Sequence, residues 1–325
     1  MPEFRQNLAT KDWVVIDSEH LTRPEDLSRK SPPPAVERPC PFCPGGAAEK
    51  ETPLAASDAE RGLVRVFADN RPVLTAGAKA PARHALYRSL PATGLHEVIV
   101  DSPAHAHTLG TMPPEQARAS ARVWRERFRA ALSNDRVSLT VLFQNRGPAA
   151  GASLSHPHTQ LVGSSLVPSH IRHRMDEASR YYEAEGACVF CRMLETELKD
   201  QVRLVEENDH FAAFVLYAAL SPFHIWVLPK RHTASFGDVN DKEVDSFADI
   251  LQRLCRRLDA ALGSPSYSFV VQSTPLDRGT TEAFHWYLSL IVRVGGPSGF
   301  QLGSGMYSNA VLPEDAARFL RAAKA

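Results

Sequence analysis

The chain has 325 residues, Lys plus Arg and Asp plus Glu balance at 37 each, and hydrophobic residues make up 43%. That length accommodates two ordinary domains or one duplicated fold, and zero net charge offers no basic field for nucleic acid or an anionic membrane. No apolar run approaches the ~20 residues that cross a bilayer, and the opening MPEFRQNLATKDW lacks the apolar core of a signal peptide, so a cytoplasmic location is expected.

In chain order, the pattern predicts a strand from Trp13 to Ile16 and then a Pro-rich connector, SPPPAVERP. Cys40-Pro-Phe-Cys43 follows in a Pro/Gly loop, RPCPFCPGG. Strands are expected at LVRVF (63–67) and GLHEVIV (94–100), a helix from Glu115 to Ser133, and strands at VSLTVLF (137–143) and HPHTQLV (156–162). The Arg/Glu pairs of that helix suggest a solvated face. A second C-x-x-C, Cys188-Val-Phe-Cys191, opens the second half. It precedes strands FAAFVLY (211–217) and HIWVLP (224–229) and a helix from about Lys242, with Val244, Phe247, Leu251, Leu254 and Leu258 on one face and Gly263 as its stop. Strands YSFVVQ (267–272) and FHWYLSLIV (284–292) complete the set, and Cys255 reads as a buried small hydrophobe.

The order repeats. From the second cysteine of each pair, 62 residues lead to His105 and 41 to His232. A further 51 lead to His156 and 53 to His285. Each half thus presents C-x-x-C, a His after a strand and before the long helix, and a His on the last strand. Such repetition implies duplicated structure. The fold class expected is α+β, with antiparallel sheets and packed helices, in two units at residues 1–165 and 166–325.

In a reducing compartment, C-x-x-C pairs are more often metal ligands or redox dithiols than disulfides. Two thiolates and two imidazoles make a closed tetrahedral set suited to Zn²⁺. The expected sites are Cys40, Cys43, His105 and His156, then Cys188, Cys191, His232 and His285, giving two zinc ions per chain. Spacing alone does not separate His105 from His107. His84, His96, His170, His173 and His210 are assigned no role.

The two last strands differ. The first carries His156-Pro157-His158-Thr159-Gln160, the second His285-Trp286-Tyr287. Alternate strand residues share a face, so His158 lies beside the ligand His156, and Tyr287 takes the matching place. One half keeps an imidazole free to react.

HPHTQ, with CPFC upstream and FQNRGPAAGASLS before it, resembles the galactose-1-phosphate uridylyltransferase family of the histidine-triad superfamily. RQNLATKDW, SPAH (102–105), PFHIWVLPKRH (222–232) and FHWYL extend the resemblance over nearly the whole chain. It implies duplicated histidine-triad-like units in which His156 binds metal and His158 attacks the α-phosphorus of a nucleotide sugar, with a sugar phosphate or phosphate as acceptor. It further implies that Gln160 and Ser153 bond the phosphate oxygens, that Asp69, Asn70 and Asn145 lie near the nucleoside, and that Arg23 reaches an active site, across a homodimer in the family precedent. SPAH favours His105 over His107 as the ligand.

The residues suit that chemistry. Imidazole attacks at neutral pH and leaves readily from phosphorus, which splits one difficult transfer into two. The small residues of GPAAGAS let backbone N–H groups approach an anion. Histidine-triad hydrolases carry His where Gln160 stands; glutamine orients oxygens but moves no proton, which favours sugar-phosphate leaving groups and disfavours hydrolysis. A zinc module for nucleic acid or protein binding would leave His158 and Gln160 unexplained. The chain departs from the family in three places: His285-Trp286-Tyr287-Leu288-Ser289 lacks the later histidines of many bacterial members, His224 replaces an acidic residue, and Ser304-Gly305 stands where galactose enzymes place Tyr and Glu. The first, with a second site built from Cys188 and Cys191, and the third resemble the ADP-glucose phosphorylase branch. They leave uridine or adenosine open, as well as the acceptor, with Asn309 a candidate to hold a sugar.

Overall fold

A computed structural model describes residues 2–17, 21–28, 39–57, 63–77, 86–275, 282–296 and 298–324. The elements of the first half are β1 (Glu3–Gln6), β2 (Trp13–Ile16), β3 (Ala55–Ala56), β4 (Arg65–Ala68), β5 (Gly94–Val100), α1 (Pro114–Leu132), β6 (Leu139–Arg146) and β7 (His158–Ser164). Then come α2 (Ser169–Glu185), α3 (Val189–Asp200), β8 (Leu204–Glu207), β9 (Phe211–Val215), β10 (His224–Pro229) and α4 (Asp241–Leu262). The chain ends with β11 (Tyr267–Gln272), β12 (Tyr287–Val292), α5 (Gly299–Ser304), β13 (Tyr307–Asn309) and α6 (Pro313–Ala322).

Ten strands form one sheet in the order β3-β4-β5-β7-β6-β11-β12-β10-β9-β8. The class is α+β as expected, but the units share a single sheet. Its seam is the antiparallel pair β6–β11, with Phe143 opposite Val270 and Gln144 opposite Phe269. Outward from that seam the strands correspond one for one: β7 with β12, β5 with β10, β4 with β9. A three-stranded sheet, β1-β2-β13, ties the two ends of the chain together, with β13 parallel to β2.

Sequence chemistry sets the helix ends. Asn240 and Glu243 form a capping box at the start of α4, and Gly263 adopts the left-handed conformation that stops it. Val244, Phe247, Leu251, Leu254 and Leu258 are all buried on its inner face. Helix α1 buries Ala117, Ala121, Trp124 and Phe128 in the same core. The arginines of α1 are not a solvated face. Arg118, Arg122 and Arg125 pair with Asp249, Asp245 and Asp241 of α4 at 2.9, 2.6 and 2.7 Å. Spacings of four and three residues put them on one stripe, and α4 meets that stripe running the other way. The ladder joins the two halves. Among the described residues, no helix is long and apolar enough to cross a membrane.

Two last strands begin later than their sequence pattern suggested. Strand β7 starts at His158 and β12 at Tyr287, because the preceding backbone bonds elsewhere: the Asp101 N–H donates to Pro157 O and the Trp286 N–H to Thr233 O. His156 and His285 therefore sit on the approach to each strand, free to turn toward the cysteine loops.

Candidate active site

The first C-x-x-C forms a tight knuckle. The Cys43 N–H donates to Cys40 O, and the Gly46 N–H to Cys43 O at 2.8 Å. A Cβ on Gly46 would fall 2.4 Å from Pro41 O, so only glycine closes this turn. The knuckle faces the loop after β5 and the approach to β7. Cys43 Sγ lies 3.3 Å from His105 Nδ1 and 3.6 Å from His156 Nδ1. The ligand atoms of Cys40, Cys43, His105 and His156 all lie within 4.8 Å of one another and could hold a metal ion. His156 donates Nε2–H to Ser102 O at 2.8 Å, which leaves Nδ1 a lone pair aimed into the cluster. His107 stands apart, its Nδ1 2.7 Å from Ser102 Oγ.

Cys188, Cys191, His232 and His285 repeat the geometry within the same limit. Cys191 Sγ is 3.3 Å from His232 Nδ1 and 3.7 Å from His285 Nδ1. The hydrogen bond between the two thiols splits them, drawing Cys188 down to about 5 and pushing Cys191 well up. A divalent cation resolves that conflict, because it displaces both protons. Two sulfurs and two imidazole nitrogens at each site are a donor set that fits such an ion.

Beside the first cluster, the ring of His158 donates Nδ1–H to His156 O at 2.8 Å. A carbonyl only accepts, so Nε2 carries the lone pair. Burial holds the His158 pKa below its ordinary value, against the opposing pulls of that carbonyl and of the Asp69 carboxylate. Phe42, between the two cysteines, packs near both imidazoles, with centroids 5.8 Å from His156 and 6.1 Å from His158. Gln160, two residues along β7, shares the His158 face. It is half-buried and opposes Val98 of β5 and Phe143 of β6.

Other sequence candidates gather around this face. Asn145 follows Phe143 at the next outward position of β6 and is half-buried. Asp69 heads the loop after β4; its N–H donates to His96 O at 2.9 Å, and its Oδ1 accepts from the Arg71 N–H. Asn70 is exposed beside it. Ser153 is exposed in the loop entering β7. That loop starts at Gly147, whose φ is +80° and whose Cβ, were there one, would lie 2.2 Å from Ser266 Oγ. Arg23 is elsewhere: at the surface it pairs with Asp26 at 3.2 Å. His170 and His173 lie exposed on α2, and His84 is outside the described residues.

Two residues were missed. His96 joins Gln160 at 2.9 Å. Asp101, fully buried, accepts from Trp124 Nε1, Thr159 Oγ1 and Gln144 Nε2 at 2.7, 2.7 and 3.1 Å. Burial pushes its carboxyl up to about 7 against these three donors. It ties α1, β6 and β7 together. Neither has a motif, since the packing of β5 against β7, and of α1 and β6 around Asp101, brings their partners near.

A buried imidazole at the start of a strand, a Cys₂His₂ cluster that could hold a metal ion beside it and a glycine loop at its approach, set in a duplicated α+β frame, are the features to compare with known proteins. Comparison with known proteins gives the family. Residues 1–168 match the galactose-1-phosphate uridyl transferase N-terminal domain, and residues 174–293 its C-terminal domain. The chain belongs to this family and is a nucleotidyltransferase. An ADP-glucose phosphorylase of Arabidopsis thaliana is 28% identical over 98% of this chain and 92% of that protein. A galactose-1-phosphate uridylyltransferase of Thermotoga maritima is 27% identical over 99% and 98%. Among solved structures, an Arabidopsis thaliana ADP-glucose phosphorylase with bound ADP-glucose superposes with a TM-score of 0.83 at 27% identity, covering 100% of this chain and 99% of that one. A uridylyltransferase structure gives 0.78, also at 27%, covering 99% and 98%.

Proposed function

We propose that the protein transfers a nucleoside monophosphate between a nucleotide sugar and a hexose 1-phosphate through a covalent nucleotidyl-His158, in the manner of a UDP-glucose–hexose-1-phosphate uridylyltransferase. The observation that carries this reading is the His158 tautomer. With Nδ1–H held by His156 O, Nε2 attacks the α-phosphorus; the N–P bond forms as the bond to the bridging oxygen breaks, and the sugar 1-phosphate leaves with that electron pair. In the return step a phosphate oxygen of the acceptor attacks the same phosphorus and the N–P bond breaks. No proton need move at the leaving group, which suits Gln160.

Gln160 and Ser153 would hold the phosphate oxygens, and Asp69, Asn70 and Asn145 the nucleoside. Arg23, committed to Asp26 at the surface of its own chain, would serve the site of a second copy in a homodimer. The two Cys₂His₂ sets would each hold zinc, which supplies rigidity to the strand approaches and takes no part in the bond changes.

A second reading is adenylyl transfer to inorganic phosphate, as an ADP-glucose phosphorylase would perform it. It is favoured by the likeness to the Arabidopsis thaliana protein and by the segment around β13. There Ser304 Oγ donates to Phe300 O, and Asn309 is buried, bonded to Ala219 O and the Val311 N–H. Asn309 is thus not the sugar-binding residue its place in the sequence allowed. Hexose discrimination rests on hydrogen-bonding partners for hydroxyls, and these two side chains are already spent. The deciding measurement compares kcat/KM for galactose 1-phosphate and for phosphate on the same nucleotidyl-enzyme, loaded from UDP-glucose and from ADP-glucose. Measurable phosphorolysis is expected. A preference for the sugar phosphate of about 10³-fold or more, roughly 4 kcal/mol, would overturn the second reading.

A further inference from the structure

We infer that His96 is a positioning residue for phosphoryl chemistry: through a hydrogen bond to Gln160 it fixes which end of that amide faces the substrate. The inference rests on the proposed role of Gln160 and deepens it.

His96 lies on β5, on the face that carries Gln160, and its side chain is 6% exposed. Its Nδ1 accepts the backbone N–H of Val73 at 3.4 Å. The proton of the neutral ring is therefore on Nε2. That nitrogen lies 2.9 Å from Gln160 Oε1 and 3.6 Å from Asp69 Oδ2. Both are acceptors, so both favour a proton there. Nε2–H thus donates to Oε1, and the Gln160 amide nitrogen must point away from His96. Were the amide reversed, its NH₂ would meet the Nε2–H donor. Shifting the imidazole proton to Nδ1 would only move the clash to the Val73 N–H. A backbone N–H thus sets the imidazole tautomer, and the tautomer sets the amide. The substrate is offered two N–H donors rather than a carbonyl oxygen. For an anionic phosphate that is the difference between attraction and repulsion.

The same wiring links the nucleoside loop to the phosphate group. Asp69 and Val73 bracket that loop, and both are bonded to His96, the first through its N–H to His96 O. In the second half His224 stands at the corresponding place: the Leu220 N–H donates to its Nδ1 at 3.4 Å, and its Nε2 lies 2.9 Å from Ser289 Oγ. There the partner is a hydroxyl, which rotates freely, so no amide is polarised. Only in the first half does the device have something to orient.

The test is a double-mutant cycle read in single-turnover labelling of His158 from a nucleotide sugar. His96→Phe should slow nucleotidylation about tenfold or more at saturating substrate, whereas His96→Gln, whose amide reaches the same oxygen, should recover most of the rate. In a Gln160→Ala background, where the loss is on the order of 10²–10³-fold, His96→Phe should add little. Equal losses from His96→Phe with and without Gln160 would overturn the inference, since a merely structural defect acts in both backgrounds. So would an unimpaired His96→Phe enzyme. Full activity of Gln160→Ala itself, with His158 still labelled, would instead sink the proposed role of Gln160. Thermal melting of each variant separates slow chemistry from unfolding.

Discussion

The two halves of the sheet carry the same frame with opposite fillings. In the first, Phe42 packs near His158, Gln160 is half-buried, and Val98 is its neighbour on β5. In the second, Phe190 sits over Tyr287 at 5.4 Å, Ser289 replaces the glutamine, and Trp226 replaces the valine. Trp226 and Tyr287 stack at 4.1 Å, and Phe284 packs edge-on to Phe190 at 4.9 Å. These four rings are buried. Large aromatic side chains contribute strongly to a core. The difference teaches that the metal knuckle, the strand order and the buried histidine on the inner strand belong to the scaffold. What separates a site from a core is the occupancy of three or four positions on one face.

The largest effect that could break this comparison lies at the matched pair His158 and Tyr287. His158→Ala should lower turnover by at least ~10³-fold and abolish covalent labelling by an α-³²P nucleotide sugar, with the melting temperature little changed. Tyr287→Phe should leave labelling within about twofold. A labelled, active His158→Ala protein would show that the halves do not divide the work in this way.

The next effect concerns what the halves share. Purified protein should hold two zinc ions per chain. Cys188→Ser should unload one and lower the melting temperature, because metal binding energy at such a site is folding energy. Cys43→Ser should unload the other and also impair labelling of His158, whose neighbour His156 loses its anchor. Elemental analysis that finds one zinc, unchanged by Cys188→Ser, would leave the second cluster without a metal role.

The sequence revealed most of this frame because the duplication is written in chemistry. Paired cysteines, histidines at matched intervals and strands such as GLHEVIV and HIWVLP keep their places in both halves, and those two strands fall on β5 and β10 residue for residue. Site residues within one strand were likewise legible, since the two-residue period of HPHTQ places His158 and Gln160 together. Contacts that depend on which strands become neighbours were not. Strand β7 inserts between β5 and β6, so Gln160, the partner of His96, and Thr159, one of the partners of Asp101, lie 64 and 58 residues away, on an element that the local pattern cannot align. The arginine stripe of α1 was misread for the same reason. Its spacing is that of any exposed charged face, and only the arrival of α4 turns it into an interface.

The smallest effect is a matter of slope. His224 is fully buried, and that burial, assisted by the nearby Arg174 charge, lowers its pKa to about 3 from an ordinary 6.5. Between those values the unfolded chain binds a proton that the folded chain refuses. Stability gained from this group is therefore present at neutral pH and lost as the pH falls from about 6.5 toward 3. One proton corresponds to ~1.4 kcal/mol per pH unit, or a few kcal/mol over that range. Carboxylates and the metal-binding histidines also titrate there, so the absolute acid sensitivity says little. The difference between two chains isolates the residue. His224→Gln keeps a group able to bond Ser289 but binds no proton. Its unfolding free energy, measured by denaturant titration from pH 7 to pH 4.5, should fall less steeply than that of the parent, by about one proton's slope. Parallel curves would mean that His224 takes up its proton without opening the sheet, and that the aromatic half is looser around β10 than its packing indicates.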